Sequence, residues 1–295
     1  MPQATVIDGA AIAAGLRQRA AVVAAHLRTE IGSAPGLATI LVGEDRASQV
    51  YIRAKGQACA NSGIAAFDTR LPADISEGGL LAEIERLNQD DRVDGVLVQL
   101  PLPCQIDPHR IVSAIDPAKD VDGFHPVNVG RLWSGLPTMV PCTPQGCLRL
   151  LRTVRPDPAG LDAVVIGRSN IVGKPLAALL IGADCTVTMI HSKTRDARQI
   201  AGRADILIAA AGQPGMVRGD WVRPGATVID VGISAAADPE GRTRVVGDVD
   251  FASVSAIAGA VTPVPGGVGP MTIACLLLNT LLAACRRRGL AEPMF

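Results

Sequence analysis

The sequence predicts an α/β protein of two domains, each with a mostly parallel sheet covered by helices. Three observations predict it. Short apolar runs alternate with helix-like stretches through two successive halves of the chain. A glycine turn, Gly167 to Gly173, stands between an apolar run and a helical stretch, where nucleotide-binding domains carry one. The 295 residues suffice for two domains with sizeable cores.

In the first half, Asp8 is placed to cap an alanine-rich helix over 10–28. A strand follows at 37–43, then a helix carrying Tyr51 and Lys55, a strand at 65–71, a helix at 75–88 and a strand at 94–100. From 101 to 145 the chain changes character: Pro101, Pro103, Pro108, Pro117, Pro126, Pro137, Pro141 and Pro144 recur through it. Prolines at this density predict a connecting, site-building segment with little regular structure, closing on a helix at about 145–153. The second half restarts with a strand at 163–166 and a helix from about 173, and adds strands at 186–190, 205–209 and 227–231. This is the rhythm of a dinucleotide-binding domain.

Composition excludes several function classes. Formal charge is zero without a basic or acidic block, and aromatic residues make up 2%. Neither nucleic acid nor an anionic membrane surface is predicted as a partner. Seven cysteines occur without a CxxC pair or a histidine at zinc spacing, which predicts free, mostly buried thiols in a reducing compartment and a cytoplasmic protein. Residues 251–285 contain no charged side chain, but prolines and glycines break the run and leave 271–285 uninterrupted. That piece is shorter than the roughly 20 residues a bilayer requires. It predicts a buried helix of a soluble protein, with Arg286–Arg288 at the negative end of its dipole.

Candidate chemistry lies in a few short stretches. Tyr51, the sole tyrosine, precedes Lys55 by one helical turn, so phenol and ammonium project from one face. Gln99 stands at the carboxyl end of a predicted strand, where ligands bind in open α/β sheets. The stretch LysAspValAspGly, 119–123, offers either two metal-ligating carboxylates or a turn that aims one aspartate into a site; without a third ligand at useful spacing no metal is predicted. GlyArgSerAsnIleValGlyLysPro, 167–175, is neither a GxGxxG fingerprint nor a P-loop, yet it opens a helix whose backbone N–H groups suit a phosphate, and a tight turn without ligand remains the alternative. After the strand at 186–190 comes HisSerLysThrArg, with no carboxylate until Asp196. An NAD enzyme places an acid here; a hydroxyl and cations beside Arg168 predict the 2′-phosphate of NADP. ThrProValProGlyGlyValGlyProMetThr, 262–272, is a stiff loop before the last helix, either a ligand-facing backbone or a linker re-entering the first domain.

Together these stretches, with TyrIleArgAlaLys at 51–55, ValGlnLeuProLeuPro at 98–103 and ProCysThrProGlnGly at 141–146, resemble the bifunctional methylenetetrahydrofolate dehydrogenase/cyclohydrolase family over nearly the whole chain. The resemblance implies NADP-dependent oxidation of 5,10-methylenetetrahydrofolate and hydrolysis of the methenyl product to 10-formyltetrahydrofolate. The alternatives are a dehydrogenase without the hydrolytic step and a non-catalytic folate or NADP sensor. It further implies Lys55 as the main catalytic residue held by Gln99, Tyr51 against the folate rings, and Asp122 bonded to the pterin. Val98, Leu100 and Pro265, Gly266, Gly267, Val268 and Gly269 line the substrate, and Gly167, Arg168, Ser169, Ser192 and Ile233 contact NADP. A folate-binding catalytic domain over 1–140, completed by 270–295, and a Rossmann domain over 141–269 are implied, with the C-terminal helix returning to the first and the chain forming a homodimer.

Overall fold

The computed structural model describes residues 3–237 and 243–295. The chain divides into two compact units, one of Met1–Ala13 with Thr143–Thr272 and one of Ala14–Cys142 with Ile273–Phe295. The first elements are β1 (Thr5–Val6), α1 (Gly9–Ile31), β2 (Gly36–Val42), α2 (Arg46–Asn61), β3 (Ala65–Leu71), α3 (Glu77–Gln89) and β4 (Gly95–Val98). Asp8 does cap α1, its carboxylate accepting from the Ala11 N–H at 3.0 Å. Asp45 and Ser76 do the same for α2 and α3, each satisfying a backbone donor that a helix start leaves open.

Strands β2, β3 and β4 form a three-stranded parallel sheet in the order β3-β2-β4. β2 and β4 are buried throughout, whereas β3 alternates between half-buried and exposed, as a central, a covered and a half-covered strand should. Leu80, Ile84 and Leu87 of α3 pack into one cluster with Ile40, Val96 and Val98 of the sheet.

The proline-rich stretch is more regular than expected. It contains α4 (Pro108–Ala114) and α5 (Pro126–Trp133), with a proline in the first turn of each. Proline fits the first turn, where its missing N–H is not required and its fixed φ is already helical; Pro108 and Pro126 start helices here and do not break them.

Beyond them lie α6 (Cys142–Val154), β5 (Asp162–Ile166), α7 (Gly173–Ile181), β6 (Thr186–Ile190), α8 (Ala197–Ala201), β7 (Ile206–Ala209) and β8 (Thr227–Asp230). The chain continues through the antiparallel pair β9 (Ser234–Ala237) and β10 (Thr243–Val246), then α9 (Phe251–Ser255), β11 (Ala260–Val261) and α10 (Val268–Arg287). One parallel sheet runs β1-β11-β8-β7-β5-β6. β1 is the reason the N-terminus departs from the expected bounds: it pairs with β11 and Ala4 N–H bonds the Ser255 carbonyl, so residues through Ala13 belong with the nucleotide-type sheet. Thr272 stays there too, its hydroxyl 2.9 Å from that of Thr143.

Helix α10 is long and apolar enough by length and composition to cross a membrane, but 72% of its most apolar window is buried inside the protein, which makes it a core helix. At its end Arg287 donates to the Val93 carbonyl and to Asp94. Arg288 also reaches Asp94, and the fully buried carboxylate accepts the Gly36 N–H as well. A buried charge needs this degree of pairing.

Candidate functional site

Lys55 lies on the inner face of α2 with its side chain almost wholly buried, and its Nζ donates to Gln99 Oε1 at 3.0 Å. Gln99 follows β4 directly. Its N–H continues the sheet ladder to the Ile40 carbonyl, and its Nε2 donates to the Leu100 carbonyl at 2.7 Å. With the amide nitrogen engaged, only the oxygen faces the lysine. An ammonium has three donors, and two remain for a ligand. Val98 is buried in the core cluster, whereas Leu100 contributes the carbonyl that orients Gln99.

Asp122 is half-buried, and its carboxylate accepts no hydrogen bond among the described residues. Burial pushes its acid up to about 6, with the Lys55 charge pulling down and the Asp120 charge adding to the rise. Tyr51 sits one turn before Lys55, half-buried, with its phenol pushed up by the same loss of solvent. The Lys55 ammonium and the Asp122 carboxylate thus stand close enough for the one charge to shift the other, and Tyr51 precedes Lys55 by one turn of α2. Two remaining donors on the lysine and an acceptor on the aspartate suit a polar ligand.

The two aspartates of 119–123 have different tasks. Asp120 is buried and accepts from the N–H groups of Phe124 and His125 and from Asn128 Nδ2. Lys119 is buried and donates to the carbonyls of Leu87 and Asp90 at the end of α3. Both fix the segment beside β4, where Asp120 bridges Val96, and leave Asp122 as the free acid. Among the described residues no cluster of histidine, cysteine and carboxylate could hold a metal.

Two neighbours of Asp122 were not anticipated. Asn279, a lone amide in the apolar helix α10, donates to the carbonyls of Val121 (2.7 Å) and Val140 (2.9 Å). The buried Cys142 thiol bonds the Val121 carbonyl and is pushed up by burial first and by Asp122 next. An amide inside an otherwise apolar helix was the available signal. The remaining cysteines are outside any disulfide and buried, except exposed Cys104.

In the other unit, β5 and β6 end in register at Ile166 and Ile190, and the Gly167 N–H bonds the Ile190 carbonyl. Arg168 and Ser192 therefore stand at matching positions, two residues past that pair. Both are exposed, and neither side chain has a partner among the described residues. A free guanidinium and a free hydroxyl, with no carboxylate at this strand end, fit the phosphate on an NADP ribose. The turn itself admits no side chain at its glycines: a Cβ on Gly167 would lie 2.1 Å from the Ala210 carbonyl oxygen, and one on Gly173 would lie 2.3 Å from that of Gly167. Ser169 differs from expectation in part, since its hydroxyl accepts the Val172 and Gly173 N–H groups and so occupies donors that were expected to be free. Ile233, past the end of β8, is exposed.

The loop Pro265–Gly269 begins α10, and Gly9 packs on it so closely that a Cβ there would meet the Gly267 oxygen at 1.9 Å. The start of α1 thus braces this loop.

Two family models match this chain. The catalytic domain of tetrahydrofolate dehydrogenase/cyclohydrolase matches residues 7–122, and the NAD(P)-binding domain of the same enzymes matches 141–288. The bifunctional protein FolD 3 of Rhizorhabdus wittichii is 62% identical over 99% of this chain and 97% of its own length. Among solved structures, the bifunctional FolD dehydrogenase/cyclohydrolase of Campylobacter jejuni superposes with a TM-score of 0.92 at 46% identity, covering 96% of this chain and 99% of that one. The Trypanosoma brucei methylenetetrahydrofolate dehydrogenase-cyclohydrolase, solved with NADP cofactor and inhibitor, gives 0.93 at 43%, covering 99% and 100%.

Proposed function

Because the chain belongs to the tetrahydrofolate dehydrogenase/cyclohydrolase family, we propose that it oxidises 5,10-methylenetetrahydrofolate with NADP and hydrolyses the methenyl product to 10-formyltetrahydrofolate. The observation that carries this reading is the buried Lys55 ammonium held 3.0 Å from Gln99 Oε1, near an Asp122 carboxylate with no partner of its own.

Each residue has a task that follows from its chemistry. NADP, when bound, supplies the hydride acceptor. The methylene carbon lies between two nitrogens, so loss of hydride leaves a delocalised cation and the protein needs to provide orientation more than a strong base. Tyr51 covers the flat ring system, and the Asp122 carboxylate accepts N–H donors of the pterin. Lys55 directs its two free N–H groups at the reacting end. In the hydrolysis, water adds to the methenyl carbon; the Lys55 ammonium gives a proton to the nitrogen as the carbon–nitrogen bond breaks, and the neutral amine so formed takes up the proton that the added water loses. Val98, Leu100 and Pro265–Gly269 line the folate. Gly167, Arg168, Ser169, Ser192 and Ile233 hold NADP, with Arg168 and Ser192 at its 2′-phosphate. The folate domain and the Rossmann domain carry these two sets. A cytoplasmic homodimer, with neither nucleic acid nor membrane as partner, completes the proposal; light scattering of the purified chain tests the dimer.

The experiment for the reaction is direct. Purified protein with methylenetetrahydrofolate and NADP is followed by absorbance: the methenyl product should appear and then decay. Accumulation without decay favours the dehydrogenase alone, and no product at all refutes both activities.

A further inference from the structure

Segment 247–250 binds the ends of two neighbouring strands through two buried carboxylates. Asp230, the last residue of β8, accepts three backbone N–H groups: Gly232 (2.9 Å) and Asp248 (3.0 Å) on Oδ1, and Val249 (3.0 Å) on Oδ2. Asp248 is fully buried, and its Oδ2 accepts the N–H groups of Ala211 (2.6 Å) and Gly212 (2.9 Å) just past β7. Its Oδ1 is buried without a partner among the described residues. The backbone of the segment also pairs with 215–217: Gly215 N–H bonds the Gly247 carbonyl, Val217 N–H the Asp248 carbonyl, and Asp250 N–H the Val217 carbonyl.

The packing leaves no slack. A Cβ on Gly247 would lie 1.9 Å from Asp230 Oδ2, and one on Gly232 would lie 2.3 Å from the Asp248 nitrogen. The arrangement is electrostatically unfavourable, since burial, with the Asp248 charge adding to it, pushes the Asp230 acid up to about 6. Two buried carboxylates this close need a compensating use, and five backbone donors are what they hold. Three of those donors, Ala211, Gly212 and Gly232, belong to the loops after β7 and β8, at the carboxyl ends of strands where a parallel nucleotide-binding sheet takes its coenzyme; the other two, on Asp248 and Val249, tie segment 247–250 to the end of β8. Ile233 follows Gly232 directly.

We propose that Asp230 and Asp248 are positioning residues for the coenzyme, locking the loops after β7 and β8 into the shape that receives NADP, with Asp230 requiring both carboxylate oxygens and Asp248 only one. The assignment rests on the reading that Ile233 and its loop contact NADP. It makes an asymmetric demand on the amide variants. An asparagine at 248 keeps one oxygen for Ala211 and Gly212 and puts its amide where no donor of the described residues points. An asparagine at 230 sets an N–H₂ group against a backbone N–H.

The test is calorimetric titration of NADP into the purified full chain, with the Michaelis constant for methylenetetrahydrofolate and Tm measured alongside. Asp248→Ala and Asp230→Asn should each weaken NADP about tenfold or more, the loss of charge-assisted contacts to the loops. Asp248→Asn should stay within about threefold of wild type, and the folate Michaelis constant should hardly move. Should Asp230→Asn fail to fold, the two Asp248 variants decide the matter. An Asp248→Ala chain that binds NADP as wild type overturns the assignment while leaving the dehydrogenase reading intact. So does an Asp248→Asn chain as impaired as Asp248→Ala.

Discussion

Gln99 holds Lys55 through an oxygen that cannot turn away: its Oε1 accepts from Nζ at 3.0 Å while its Nε2 is tied to the Leu100 carbonyl at 2.7 Å. Because the amide follows directly on β4 and its own N–H continues the sheet, the lysine is aimed by a rigid element and not by a loop. Gln99→Met removes the acceptor and keeps the volume. Turnover in the hydrolytic step should fall about tenfold or more, with a smaller change in the folate Michaelis constant, since Gln99 acts through Lys55. Steady-state kinetics with methenyltetrahydrofolate measures the split; unchanged turnover would remove Gln99 from the mechanism.

Asp122 links binding to pH. Its acid is raised to about 6, chiefly by burial, so the carboxylate that accepts pterin N–H groups is present above that pH and lost below it. The Michaelis constant for methylenetetrahydrofolate should therefore rise as pH falls through about 6. The profile should flatten in Asp122→Asn, with NADP affinity retained.

The same shift predicts a gain in stability for that variant. A carboxyl raised in the folded state contributes stability at low pH that is lost as pH climbs through the folded value, here about 6. Above it the apo protein bears a half-buried charge whose carboxylate accepts no hydrogen bond among the described residues. Asp122→Asn should accordingly melt no lower than wild type near neutral pH while binding folate less well, and differential scanning calorimetry reads the comparison. A markedly lower Tm would assign Asp122 to the scaffold.

Arg168 and Ser192 stand at matching positions past the paired ends of β5 and β6, and both are free to bind. Arg168→Ala should raise the Michaelis constant for NADP by about tenfold or more, the loss of a charge-assisted contact, and leave that for NAD nearly unchanged. Equal loss with both coenzymes would make Arg168 a support of the loop.

Much of this site was legible in sequence because its signals are local. The Tyr51–Lys55 spacing fixes a shared helix face, and Gln99 lies at the carboxyl end of an apolar run read as a strand, which the structure closes one residue earlier at Val98. The division of labour between Asp120 and Asp122 was not legible: two carboxylates stand two residues apart in a turn, and only the N–H groups of Phe124 and His125 show which one is already taken. β1 and β11 have two residues each, too short for any periodicity. Asp230 and Asp248 meet across 18 positions through backbone donors, a contact that composition cannot signal. Pro108 and Pro126 misled because proline carries opposite meanings at a helix start and in its interior.

Lys55 carries the hydrolytic chemistry in this mechanism, and its part is read from the rate of methenyltetrahydrofolate decay with wild-type chain and with Lys55→Met, corrected for the uncatalysed rate. Lys55 is a nearly buried cation whose one side-chain bond among the described residues is to Gln99, and methionine keeps most of its volume, so the variant should remain folded by circular dichroism. The rate should fall by about a hundredfold or more, the usual contribution of a positioned acid–base group. A folded Lys55→Met protein that hydrolyses the substrate at the wild-type rate would contradict it.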